Sequence, residues 1–239
     1  MVTRITIISA YYSRPKEMEL VLKKLRTSVI KKYKVTHYII DDCSPKHLDI
    51  ESLNVASFEK KNYTIEPFRT HENNGRLKYW ITINAIMAEA KDTPADYVMF
   101  MPDDRLPCKR FFDRVFELYR TLPKKAMLNL DIDCGRERTL PNQQLDGACI
   151  LPKENMDNMK WEIEEVRPPT ASSGVWRIMS ANLLNANPTA DVFYPTHSFL
   201  KHLCPKESQL NSGYRRMHPI VTKNFVDEVA GKVGVFKRW

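Results

Sequence analysis

An α/β fold, built on a mostly parallel sheet flanked by helices, is what this 239-residue sequence predicts. Three observations predict it. Short apolar runs of strand length alternate with segments whose apolar residues recur at helical spacing. Two of those runs, Thr36–Ile40 and Tyr97–Met101, lead into paired carboxylates, Asp41-Asp42 and Asp103-Asp104. The opening order of strand, helix, strand implies a right-handed parallel crossover. That puts successive strand ends on one sheet edge, where open α/β sheets bind ligands.

Arg4–Ala10 is the first strand, and Tyr11–Arg14 leaves it as a loop before Pro15, whose fixed φ suits the first turn of a helix. Val21, Leu22, Leu25 and Val29 give that helix one buried stripe and leave its lysines outside. After the Thr36–Ile40 strand, residues 45 to 60 read as surface. Tyr63–Phe68 is a short third strand that Pro67 moves toward an edge. His71–Gly75 has the composition of a turn. Leu77, Trp80, Ile81, Ile83, Met87 and Ala88 then mark a helix buried on a broad face, which feeds the Tyr97 strand. That strand runs through Pro102 into Asp103-Asp104 and stops at Pro107.

Phe111, Phe112, Val115, Phe116 and Tyr119 mark another amphipathic helix, ended by Pro123. Ala126–Leu130 is a fifth strand running into Asp131-Ile132-Asp133, and Gly147–Leu151 is the next. Arg167–Gly174 is a loop ahead of a helix over Val175–Leu184, and Asp191–Tyr194 and Ser198–Leu200 are the last readable strand pieces. There is no internal repeat.

With 43% hydrophobic residues the chain can bury a sizeable core as a single domain. No run of about 18 apolar residues occurs, and Met1–Ser9 is too short and too strand-like for a signal peptide, so the expected location is cytoplasmic. Its five cysteines are odd in number, spread out and without Cys-x-x-Cys spacing, which argues against a disulfide framework and a structural zinc site. A formal charge of +8 suits an anionic partner: a nucleotide diphosphate, a nucleic acid or an acidic membrane surface. The basic residues are scattered in local pairs rather than clustered with aromatics, so no nucleic-acid partner is expected. Peripheral membrane contact stays open. As residues alone, Asp103-Asp104 reads either as a hard-oxygen site for Mg²⁺ or Mn²⁺ or as a solvated acidic turn.

The order of strand, helix, Asp-ending strand, Asn-x-Gly-type loop, helix and acid-ending strand resembles the GT-A glycosyltransferases, the inverting family 2-like sugar transferases most of all. That resemblance implies a Rossmann-like GT-A fold over residues 1–239. Residues 1–107 would be the nucleotide-sugar-binding half, and 108–239 the acceptor-binding half and C-terminal tail. The nucleoside would be held by Ala10, Tyr11, Tyr12 and Arg14 with Asp41, Asp42, Cys43 and Ser44, the last four resembling an Asp-Asp-x-Ser segment. Asn73-Asn74-Gly75-Arg76 with Lys78 resembles the family's Asn-x-Gly segment near the diphosphate, starting the helix that carries Asn84. The DxD metal motif falls on Pro102-Asp103-Asp104, with proline at its usual first aspartate. Asp104 inherits the metal role and Asp103 supports it. Asp131-Ile132-Asp133 matches DxD literally but lies where the acceptor side is expected. His197–Ser208 resembles a C-terminal family segment and makes His202 the candidate third metal ligand, with His197 behind it.

The resemblance implies transfer of a sugar from a UDP- or GDP-linked donor to a glycan or glycoprotein acceptor, with Mn²⁺ or Mg²⁺ as Lewis acid on the leaving phosphate. Arg76, Lys78 and the Arg215-Arg216 pair are candidate cationic helpers. The family's acidic pair would fall on Ala171–Gly174, where there is no carboxylate, so Asp146, Glu164 and Glu165 are the candidates for the base. Two other classes compete. A sugar nucleotidyltransferase would carry a glycine-rich phosphate loop after the first strand, and Tyr11–Arg14 has no glycine. A non-catalytic nucleotide- or nucleic-acid-binding α/β domain is the alternative: the +8 charge would serve a nucleic acid only with basic and aromatic residues clustered on one face, while Pro102 and the missing acidic pair keep open a transferase fold retained only as a binding module.

Overall fold

The computed structural model describes residues 2–45, 62–75, 78–131, 145, 147–164, 172–203, 225–227 and 233–237. In chain order these form β1 (Thr3–Tyr11), α1 (Pro15–Ser28), β2 (Tyr33–Asp41), β3 (Tyr63–Arg69), α2 (Tyr79–Ala90) and β4 (Tyr97–Phe100). Then follow β5 (Arg105–Pro107), α3 (Phe111–Tyr119), β6 (Met127–Asn129), β7 (Cys149–Pro152) and α4 (Lys153–Asn158). The chain continues with α5 (Ser172–Ala186), β8 (Val192–Pro195), β9 (Leu200–His202) and β10 (Val235–Lys237).

The main sheet has the strand order β10-β8-β6-β7-β4-β1-β2-β3. β1, β2, β3 and β4 run parallel, and β6 and β8 share their direction. β7 and β10 run against it. The sheet is therefore mostly parallel, with β3 at one edge as Pro67 requires. Ile5 and Ile7 of β1 face a core shared with Val21, Leu25, Phe111, Phe112 and Val115, from α1 and α3. Ile8 faces the other way, among Ile83, Ile86, Met87, Met179 and Leu183 of α2 and α5. Alternate side chains of one strand thus bury into two opposite layers, and such a strand reads as a continuous apolar run.

One expectation needs correcting. The Tyr97 run does not stay extended to Pro107: β4 ends at Phe100, residues 101–104 turn, and Arg105–Pro107 start the separate strand β5, which pairs antiparallel with β9. Pro102 lacks the N–H that a continuing ladder would use. The two aspartates therefore sit in a turn outside the sheet.

A buried polar chain crosses the four parallel strands. Ser9 Oγ donates to the Met101 carbonyl at 2.6 Å and lies 2.7 Å from His37 Nε2, and His37 Nδ1 lies 2.7 Å from the Tyr63 hydroxyl. Because the Ser9 proton is committed to Met101, Nε2 is the ring's donor; in the neutral ring that burial favours, Nδ1 then accepts from Tyr63. Burial holds the His37 pKa down, to about 3.

Candidate active site

β1 ends at Tyr11 and β2 at Asp41, partners in register, and the Asp42 N–H donates to the Tyr11 carbonyl at 3.0 Å. On the other side of β1, the Met101 N–H donates to the Ile8 carbonyl at 2.9 Å, so the Asp103-Asp104 turn leaves the sheet beside the loop that follows β1. The Tyr12 N–H reaches across that gap to Asp103 Oδ2 at 3.3 Å. Burial raises the Asp103 pKa, the neighbouring Asp104 charge raises it further, and Arg14 and the Tyr12 N–H act against both.

Asp104 is the point where several elements meet. Its Oδ2 accepts from Arg14 at 2.5 Å and lies 3.3 Å from His202 Nε2. Its Oδ1 lies 3.8 Å from the Arg105 Nε. The pairing of β5 with β9 causes this: Arg105 and His202 are register partners, and the Leu203 N–H donates to the Asp104 carbonyl at 2.9 Å. Arg105 also donates to Asp131 Oδ2 at 2.5 Å, and the Ser198 hydroxyl donates to Asp131 Oδ1 at 2.5 Å. The first aspartate of the literal DxD match therefore anchors the arginine beside Asp104.

The two carboxylates after β2 do different jobs. Asp41 accepts the Ser44 N–H on Oδ1 at 2.9 Å and the Arg69 guanidinium on Oδ2 at 2.8 Å. Arg69 reaches on to the Ser44 carbonyl at 3.1 Å. The Tyr11 phenol beside them is pushed up to about 12, by burial first, while its hydrogen bond to Ser44 opposes that rise. Asp42 turns inward instead. Its Oδ1 accepts from the Asn74 N–H at 3.1 Å and the Thr82 hydroxyl at 2.9 Å, and its Oδ2 accepts from the Gly75 N–H at 3.0 Å. Asp42, expected beside the nucleoside, is thus taken up in shaping the Asn73–Gly75 turn. Gly75 has φ +57, and a Cβ there would meet Asn73 Oδ1 at 3.3 Å, so the turn needs glycine.

Tyr79 is a residue the sequence reading missed. It stands one helical turn before Thr82 on α2, and burial raises its pKa, followed by the charges of Asp103, Asp42 and Asp104. Its hydroxyl makes no hydrogen bond to a described residue and stays protonated, a donor in a carboxylate-lined space. An aromatic four residues after the Asn-Gly turn was the only available signal. Arg69 was missed as well, although it is the register partner of Asp41.

Of the remaining expected residues, Ala10 is half-buried near the end of β1, and Tyr12 is 47% exposed. Lys78 is exposed, 4.0 Å from Glu72. Asn84 clamps the Ile163 backbone through two hydrogen bonds, 2.8 and 2.9 Å, well along α2 from the Asn73–Gly75 turn. Arg76, Asp133, Asp146, Glu165, Arg215 and Arg216 lie outside the described residues, and Glu164 is exposed. No three metal-ligating side chains converge among the described residues. The pair that meets is Asp104 with His202, one carboxylate and one imidazole, a donor set that Mn²⁺ accepts while keeping positions for phosphate oxygens and water.

No protein-family model matches the chain, and no curated protein matches it. Solved structures do. TarS of S. aureus, residues 1–349, superposes with a TM-score of 0.54 at 15% identity, covering 80% of this chain and 58% of that one. Its complex with UDP-GlcNAc gives a TM-score of 0.54 at 13% identity, over 80% and 56%. The fold is that of the GT-A glycosyltransferases. The mannosyltransferase PcManGT of Pyrobaculum calidifontis, in complex with GDP-Man and Mn²⁺, shares that GT-A fold with a TM-score of 0.51 at 13% identity, over 73% of this chain and 50% of that one. The chain spans 50 to 58% of the chains in these structures, and 36% of a longer TarS chain. Among its described residues no GT-A helix is long and apolar enough to cross a membrane.

Proposed function

We propose that this GT-A chain is a glycosyltransferase that moves a sugar, with inversion, from a UDP- or GDP-linked donor to a glycan or glycoprotein acceptor. One observation carries the reading: the β5–β9 pairing sets His202 Nε2 3.3 Å from Asp104 Oδ2, at the edge where β1 and β2 end. TarS with UDP-GlcNAc and PcManGT with GDP-Man and Mn²⁺ support the donor class without choosing between the two bases.

Asp104 and His202 would hold the divalent cation. When bound, Mn²⁺ or Mg²⁺ supplies neutralisation of the charge that the departing diphosphate develops. The chain's own groups do the rest. Tyr11, Asp41, Ser44 and Arg69 line the nucleoside side. Asp42 holds the Asn74-Gly75 turn in shape at the diphosphate, and Tyr79 offers a permanent O–H donor. Arg105, pinned by Asp131, keeps Asp104 oriented. Asp146 and Glu165 remain the proposed bases for the acceptor hydroxyl.

The test is release of UDP or GDP by the purified chain across a panel of sugar donors, with and without Mn²⁺, alongside calorimetric titration of UDP and GDP. The expected result is cation-dependent binding of one nucleotide and turnover of its sugars. Failure to bind either nucleotide under any cation overturns the proposal.

A further inference from the structure

The loop after β1 carries features that holding a nucleoside does not explain. Ser13 has φ +56, the left-handed region that a side chain enters at a cost, and such strain gathers at ligand-holding loops. Its hydroxyl is buried and has no hydrogen-bond partner among the described residues. Next to it, Arg14 places Nη1 2.5 Å from Asp104 Oδ2 and 3.6 Å from Asp103 Oδ1. The Arg14 backbone is fixed, because its carbonyl accepts the Met18 N–H at 3.0 Å in the first turn of α1. Any movement there belongs to the side chain.

The oxygen that Arg14 grips is the one nearest His202. A divalent cation bound between that oxygen and the imidazole would stand within a few ångströms of the guanidinium, and two such charges repel at that range. Arg105 cannot take over from Arg14, since Asp131 holds it at 2.5 Å from the far side. A nucleotide diphosphate arriving with the cation brings phosphate oxygens, which a guanidinium binds in a two-pronged manner. The unsatisfied Ser13 hydroxyl is a second donor on the same loop.

We propose that Arg14 is an exchange residue. With no cation bound it serves as the counter-ion of Asp103 and Asp104. When a divalent cation takes Asp104 and His202, Arg14 passes to the diphosphate of the donor, with the Ser13 hydroxyl beside it. This rests on the cation reading above and adds that Arg14 opposes the cation and favours the nucleotide.

The test is calorimetric titration of the full chain, first with Mn²⁺ alone and then with UDP and GDP at saturating Mn²⁺. Arg14→Gln is expected to bind Mn²⁺ alone about tenfold more tightly than the parent, and its nucleotide about tenfold more weakly. Arg14→Lys places a more hydrated point charge on Asp104, so its Mn²⁺ affinity is expected to rise about threefold. That variant reads the same sign if the glutamine variant does not fold. Mn²⁺ affinity that is unchanged or weaker in both variants, or nucleotide affinity unchanged in both, overturns the exchange. Asp104→Asn separates the two levels of the argument. Mn²⁺ binding that this variant abolishes but Arg14 variants leave alone keeps the cation site and removes the exchange, whereas no Mn²⁺ binding in the parent removes both.

Discussion

The chain from Tyr63 through His37 and Ser9 to the Met101 carbonyl lies inside the sheet, and the chain from Arg14 through Asp104 and Arg105 to Asp131 lies at its edge. Both tie separate strands together, and both touch the same turn: the inner chain ends at Met101, and the edge chain passes through Asp104. Their materials differ. Every inner link joins neutral groups, and each proton has one direction to go. The edge links join full charges, and Asp104 Oδ2 faces two partners at once. A neutral chain sealed from water loses a great deal when one member is removed, because the survivors have nowhere else to bond. A partly exposed ionic chain can trade partners, which a site that admits a charged substrate requires.

Breaking the edge at its centre gives the largest effect. Asp104→Ala is expected to lower sugar transfer about a thousandfold or more, on the scale of losing a principal electrostatic group, while the folded state survives. Steady-state kinetics with a thermal melt checks both halves, and retained turnover refutes the role given to Asp104. Breaking the inner chain has the opposite profile. His37→Ala leaves the Ser9 and Tyr63 hydroxyls buried around a cavity and is expected to cost about 3 kcal/mol by urea denaturation. Turnover of the folded fraction should change far less than in Asp104→Ala.

Asp42 tests whether the division holds at the next loop. It accepts two backbone N–H groups and a hydroxyl, so Asp42→Ala should cost about 2 kcal/mol of stability and raise the nucleotide KM by loosening the Asn73–Gly75 turn. An unchanged KM would make that turn irrelevant to the donor.

The last test is a pH slope. The folded His37 pKa lies near 3, against an ordinary value of about 6.5, so between those values the unfolded chain takes up a proton that the fold refuses. Its contribution is whole above pH 6.5 and is lost as pH falls toward 3, at roughly 1.4 kcal/mol per pH unit. His37→Gln should flatten that part of the stability profile, and identical slopes in the two proteins would contradict the buried neutral imidazole.

The halves of the molecule differ in how much of this the sequence reveals. β1, α1, β2 and α2 were legible because each is long enough for its apolar residues to declare a period, and both acidic strand ends follow from them. β5 and β9 are three residues each, too short for any period, and their pairing joins distant parts of the chain. His202 was accordingly reached through a family-like segment, and nothing local announced that it would stand beside Asp104. Asp41 and Asp42 show a second limit. Adjacent side chains at a strand end point to opposite sides, so a written Asp-Asp cannot say which carboxylate faces out and which organises the Asn74-Gly75 turn. For Asp131 the motif was visible and its partner was not, because Arg105 belongs to the strand that the sequence hid.

The central claim is that Asp104 and His202 together hold a cation that faces a nucleotide diphosphate at the tips of β1 and β2. A crystal soaked with Mn²⁺ and UDP or GDP, with the ion located by its anomalous scattering, tests this most directly. The account predicts the ion on the Asp104 carboxylate and the His202 imidazole, with the nucleoside beside Tyr11 and Asp41. An ion bound elsewhere, or a nucleotide lodged away from that edge, would contradict it.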